Sequence, residues 1–411
     1  MTVITKENII SYLKSRLPDL DDSKPAVISM VGEGTPEEDG DGYVNFIFRV
    51  RTDNYALVLK QSLPYGRMTQ YPMVVERNPL EYDCMKIFGA IMPDCVPRLY
   101  FIDEENSLFV MEDVSHLNIA RFSLNRNMTF EKMGELAGSF MAKTAFYTSE
   151  YYLPREKFRN LQMRFDNTRM RRIMEDGIFV DRFKASTDET LGPEFKDFAD
   201  GFCRNERYET ERFKLRRSYM SHTDALIHAD FHTSNMLVDD SHLKVIDYEF
   251  AFMGPFGYDL GYLTGNLISQ YCAACFRPFP DEKTRKTFKA YLLTTIKVLF
   301  DTYRSTMISC WQESAKEVYR DKKGLLRDIL GEVMREAPGY ASVVNWFRAT
   351  TSIEYPDFET IEDPDEKRRA IVLSLLIDWE IMFARYSWHS VDELIQTILG
   401  VEESFMKKIG R

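Results

Sequence analysis

The spacing of apolar and polar positions changes character near residue 113. Before it, short β-rich runs dominate. Tyr43 to Val50 alternates at its end, Tyr55 to Lys60 follows the turn Thr52 to Asn54, and Ser107 to Met111 forms another run. One helix interrupts them, expected from Pro79 to Ala90 with proline near its start. From Thr129 onward helical spacing takes over, and Phe130 to Ala145 carries apolar residues at i, i+3, i+4 and i+7. Beyond Pro255, helices are expected over about 259–271, 283–318, 322–336 and 364–409, with an acid- and proline-rich loop near 354–366. Between these regions, Met236 to Val238 and Leu243 to Ile246 flank the turn-rich Asp239 to Ser241, which predicts a hairpin. The pattern predicts an α+β chain with a small antiparallel β-rich N-lobe over residues 1–113. A large, mainly helical C-lobe fills 114–411, and residues 112–118 form the hinge.

Composition narrows the function classes. The chain has 411 residues, 44% of them apolar, so it can bury a large core. A net charge of −11 disfavours nucleic acid or anionic membrane as partner. It leaves room for an anionic nucleotide, because a local cation site outweighs the global sign. Six cysteines are scattered through the chain, which is reduced, cytoplasmic usage. Cys272 and Cys275 form the one close pair, in an apolar helical stretch, and read as structural. No signal-peptide core precedes the first helix and no apolar run reaches membrane-spanning length, so no membrane segment is expected.

The chemistry concentrates after the strand-like Ala225 to Ile227. His228, Asp230 and Asn235 match the spacing H-x-D-x-x-x-x-N of a kinase catalytic loop. The predicted hairpin then delivers Asp247 and Glu249 back beside that loop. Phosphoryl transfer needs this combination: one carboxylate at the attacking hydroxyl, and hard oxygen ligands for Mg²⁺ on the phosphates. An Asp-to-Asn pair alone reads as turn chemistry. The upstream context supplies the other parts in order. Gly40 and Gly42 precede the first strong strand, where backbone amides can approach phosphates. Lys60 ends the next strand as a compact cation for the α- and β-phosphates. Glu81, with Glu76 as fallback, is the candidate partner of Lys60. The backbone of Glu112 and Val114 lies where a hinge would meet an adenine edge. His228 and His232 read as packing residues, because no third ligand completes a zinc spacing.

These residues, with Gly40 to Val50, Val58 to Gln61, Phe140 to Ser149 and Ile246 to Gly261, resemble the 5-methylthioribose kinase family. That family sits in the protein-kinase-like superfamily with aminoglycoside and choline phosphotransferases. The similarity runs in order over roughly residues 30 to 390, and the Asp-x-Glu at 247–249 followed by Phe250-Ala-Phe252 is its most specific part.

The resemblance implies a two-lobed protein-kinase-like fold, with ATP and Mg²⁺ as cofactors and a sugar or other alcohol as acceptor. Asn45 and Lys60 would contact the nucleotide, and Glu112, Asp113 and Val114 would line the adenine site. Asp230 would bind the sugar and act as catalytic base. Asp247, Tyr248 and Glu249 would span the metal–phosphate site, with Asn235 as a further metal ligand. Arg385 would reach the substrate, and a homodimer is implied. The departures fall on the acceptor side: Ala384 replaces one of two paired arginines, and Tyr386 to Ser390 replaces a glycine-containing run. Ala229 and Asn235 stand where the family has glycine and serine. The reading is phosphorylation of a sugar hydroxyl, most specifically C1 of methylthioribose in methionine salvage. The competing readings are a related aminoglycoside, choline or homoserine phosphotransferase, and a non-catalytic kinase-like binding protein. An acidic loop of Glu354, Asp357, Glu359 and Glu362 would favour a cationic acceptor.

Overall fold

Alternation along one strand decides where the candidate lysine points. In the computed structural model, which describes residues 1–34, 44–68, 72–183, 196–350 and 356–410, β3 (Ala56–Gln61) is the central strand of the N-terminal sheet. Its neighbours are β1 (Val27–Met30), β2 (Phe46–Arg51), β4 (Leu99–Asp103) and β5 (Leu108–Glu112), in the order β1-β2-β3-β5-β4, all antiparallel. Side chains change face at each residue. Leu57 and Leu59 pack with Phe48, Val110 and the helix α1 (Ile9–Arg16). Val58 turns to the opposite face, toward the core shared with α2 (Arg77–Ile91), and Lys60 follows two residues on.

The rest of the chain is mainly helical. A short strand β6 (Asn118–Ile119) pairs with the hairpin β8 (Met236–Val238) and β9 (Leu243–Val245), in the register Met236↔Val245 and Val238↔Leu243. Strand β7 (Ala225–Ile227) pairs with β10 (Phe252–Gly254). Helix α3 (Ala120–Asn125) lies beside the hairpin, and α4 (Met133–Thr148) runs behind β7. The centre is α5 (Tyr258–Phe276), every residue of which is buried. Around it pack α6 (Glu282–Ser314), α7 (Lys323–Ala349), α8 (Pro364–Ala384) and α9 (Val391–Lys408). Among the described residues no helix is long and apolar enough to cross a membrane.

Two helix boundaries differ most from expectation. The helix expected to stop near 336 continues through Pro338 to Ala349. An interior proline costs about 3 kcal/mol. Beyond it Tyr340, Val343, Val344 and Trp346 are all fully buried, and each such side chain contributes about 1.5–3 kcal/mol. Packing therefore outweighs the local penalty. The close approach of α5 also depends on glycine: a Cβ on Gly261 would lie 2.3 Å from the Ala337 carbonyl oxygen. The segment expected as one helix over 364–409 is two. Ser390 and Glu393 form a capping box that starts α9.

Candidate active site

The loop from His228 to Asn235 is held from below by one carboxylate. Asp259, on the first turn of α5, accepts the His228 amide at 2.7 Å and the Ala229 amide at 2.9 Å. Ala229 is in the left-handed region, at φ 67°. The buried His228 ring accepts the Asp230 amide on Nδ1 (3.2 Å), and its Nε2 lies 2.9 Å from the Ile246 carbonyl. Those contacts suit the neutral Nε2–H tautomer. Burial accordingly pushes His228 down to about 4. It is a structural pin between loop and hairpin. Asn235 donates its side-chain amide to the Asp230 carbonyl at 3.0 Å, which fixes the two ends of the loop against each other.

Asp230 sits 3.5 Å from His232 Nε2. Burial acts to raise its pKa, but His232, the Tyr262 hydroxyl and His228 outweigh it and hold the carboxyl well below the usual range. At neutral pH it is a carboxylate, ready to accept a hydrogen bond.

The hairpin and the sheet supply a second cluster. Lys60 Nζ lies 2.7 Å from Glu81 and 2.5 Å from Asp247 Oδ1. Glu81 is thus the lysine's partner, and Glu76 only precedes α2. Asn45 donates to Glu249 Oε2 at 2.8 Å, and Arg77 Nε approaches the same oxygen at 3.2 Å. Burial opposes the Lys60 charge, yet Asp247, Glu81 and Glu249 prevail and hold it protonated. Burial and the crowding of like charges push Glu81 and Glu249 upward. Ligand oxygens of Glu81, Asp247 and Glu249 lie within 4.8 Å of one another. Three carboxylates against two cations, offering only hard oxygens, fit a divalent cation such as Mg²⁺.

Both clusters open on one cavity of about 390 Å³ between the sheet and the helical part. Its lining includes Asn45, Lys60, Glu112, Asp113, Val114, Asp230, Asn235, Asp247 and Glu249. Ile47, Val58 and Met111 face it from the sheet, with Leu237 and Ile246 from the hairpin, an apolar slot of the kind a flat base enters. At the hinge, the Asp113 side chain is committed to Arg51 at 3.0 Å and to the Ser115 amide.

Several sequence-derived residues lie elsewhere. Tyr248 does not line the cavity: its ring is buried against Phe88 and His228, and its amide donates to Glu81. Arg385 does not line it either. Its guanidinium is fully engaged, donating to Glu211 (2.9 Å), the Arg335 carbonyl (2.7 Å) and the Met382 carbonyl (3.0 Å). Gly40 and Gly42 fall outside the described residues. Of the acidic loop, Glu354 also falls outside them. Asp357 is buried, 2.7 Å from Gln270 and 3.6 Å from Arg121, and Glu359 pairs with Lys367.

Sequence reasoning missed Arg77, Arg121, Tyr262 and Arg348. The first braces Glu249, and the other three line the cavity. Arg348 lies 5.8 Å over the Tyr262 ring, and Tyr262 bonds Asp230.

The profile of the phosphotransferase enzyme family matches residues 38–292. A methylthioribose kinase of Geobacillus sp. (strain WCH70) is 31% identical over 384 residues, covering 91% of this chain and 94% of the relative. A methylthioribose kinase of Exiguobacterium sibiricum is 30% identical, covering 82% of this chain and 86% of that protein. Among solved structures, a choline/ethanolamine kinase family protein from Mesorhizobium loti is 13% identical with a TM-score of 0.45, covering 96% and 99% of the two chains.

Proposed function

Because the chain belongs to the phosphotransferase enzyme family, in its methylthioribose kinase branch, we propose that it phosphorylates the C1 hydroxyl of 5-methylthioribose with ATP, a step of methionine salvage. The observation that carries this reading is the convergence of Lys60, Asp230, Asn235, Asp247 and Glu249 on one cavity.

The geometry supports the following division of labour. The apolar slot and the hinge backbone at Glu112 and Val114 take the adenine. Lys60, held by Glu81, meets the phosphates. Asp247 and Glu249, with Asn235, would hold Mg²⁺, which would supply charge neutralisation on the phosphate oxygens. Asp230 accepts the hydrogen bond of the sugar hydroxyl and aligns its oxygen with the γ-phosphorus. A new O–P bond forms as the bond to the β–γ bridging oxygen breaks, and the hydroxyl proton passes to Asp230 and then to solvent. A carboxylate of low pKa suits a step in which the proton leaves late in a loose transition state. Positioning and electrostatics provide most of the rate gain. Residues 1–113 act as the nucleotide lobe and 114–411 as the acceptor lobe. A homodimer rests on the family resemblance.

An assay of ADP release with methylthioribose and a panel of choline, homoserine, aminoglycosides and other sugars tests the reading. Turnover confined to methylthioribose supports it. Preference for another alcohol replaces the acceptor, and no turnover with any removes the enzymatic reading.

A further inference from the structure

A second cavity, of about 610 Å³, lies between α6 and α7, and no residue lines both it and the first. Leu260, Tyr303, Leu326, Val333 and Trp388 give it a buried apolar floor. Its cations are Arg304 on α6 and Lys323, Arg327 and Arg335 on α7. The last three fall with Gly331 on one row of the helix, at every fourth position. Trp388, His389 and Ser390, from the run in which this chain departs from its family, complete the lining.

Three features set this cavity apart. The first is charge. In a chain of net charge −11, four cations line the cavity against one acid, Asp301, and that acid lies 3.4 Å from Lys297. Among the described residues, none of the four has a carboxylate partner. Like charges along one helix row are unfavourable unless an anion sits among them. The second is Trp388. It is only 7% exposed, yet its indole N–H makes no hydrogen bond among the described residues. Buried indoles ordinarily find an acceptor. This N–H is not sealed in the core, so it opens on the cavity. The third is Gly331. Glycine weakens a helix interior, and no close approach requires it here. Within 4 Å a Cβ would meet only the Arg335 guanidinium, at 3.4 Å. Its effect is to keep the cavity open.

We propose that this cavity binds a small organic anion with an apolar body. The arginines, with Lys323, take a carboxylate or phosphate head, whose oxygens the guanidinium fork matches. The Trp388 N–H is a further donor, and the body lies on the apolar floor. The volume suits a small molecule. A bare inorganic ion would leave the floor wet, and a neutral apolar molecule would leave the cations unmatched.

The test is fluorescence titration of the full chain with anilinonaphthalene sulfonate, an aromatic anion, with and without excess Mg²⁺–ADP. One saturable equivalent that persists with Mg²⁺–ADP is expected. Octanoate or octyl phosphate should displace the probe at concentrations at least about tenfold below those of octanol, and the stronger of the two identifies the head group. Gly331→Leu fills the cavity without removing a charge, and Arg327→Ala removes an exposed cation without touching the core. Each should weaken binding at least about tenfold. No saturable binding, loss of all binding to Mg²⁺–ADP, equal affinity in Gly331→Leu and wild type, or displacement by octanol as effective as by octanoate overturns the proposal.

Discussion

Asp259 holds Ala229 by its amide at 2.9 Å while that residue sits at φ 67°, a left-handed conformation that costs an alanine about 1–2 kcal/mol. The same carboxylate takes the His228 amide, so two buried donors depend on it. Asp259→Ala leaves both orphaned, at about 1–3 kcal/mol each. A stability loss of about 2–4 kcal/mol in denaturant, with turnover reduced at least tenfold, is expected. Wild-type stability in this variant would mean that the loop is held by other contacts.

His228 provides a pH dependence. Its folded pKa is about 4, below the ordinary 6.5. Between those values the unfolded chain binds more protons, so stability rises with pH there and is lost as pH falls from 6.5 to 4. The loss attributable to this residue is about 3 kcal/mol. His228→Gln cannot titrate and so flattens that portion of the curve. Parallel stability curves for the two proteins over this interval would refute the assignment.

Arg385 and Arg348 separate structural from substrate roles. Arg385→Ala breaks the buried pair with Glu211 and costs about 3–5 kcal/mol of stability. Its KM for the sugar is unchanged where the variant remains folded. Arg348→Ala raises that KM about tenfold, equivalent to about 1.4 kcal/mol. Steady-state kinetics on both variants decide the matter, and the opposite pattern returns Arg385 to the pocket.

The sequence revealed the loop, the hairpin and the lysine strand because each carries a local signal. Asp230 and Asn235 are five residues apart on one loop, and Lys60 follows from period-two alternation in β3. Arg385 came from the family resemblance, which names a segment but not a partner: here its guanidinium meets Glu211, 174 residues away. Arg348 was missed for a related reason. It lies beyond Pro338, where local rules end the helix, and only packing against α5 carries α7 onward. The break before α9 was legible, since Ser390 and Glu393 have capping-box spacing.

Lys60 joins two of the three acids of its cluster, and Lys60→Met removes the cation between Glu81 and Asp247. The expected result is at least a hundredfold loss of kcat/KM, about 2.7 kcal/mol, with weakened nucleotide binding. Unaltered binding of Mg²⁺–ATP by calorimetry would remove Lys60 from the phosphate site.

The central claim is that Asp230 receives the hydroxyl of methylthioribose beside the γ-phosphate. The most direct measurement is single-turnover formation of methylthioribose 1-phosphate by wild type and by Asp230→Asn, with ATP affinity measured alongside. The predicted result is rapid product in the wild type, and a rate at least a thousandfold lower in Asp230→Asn at unchanged ATP affinity. Equal rates in the two proteins would contradict it.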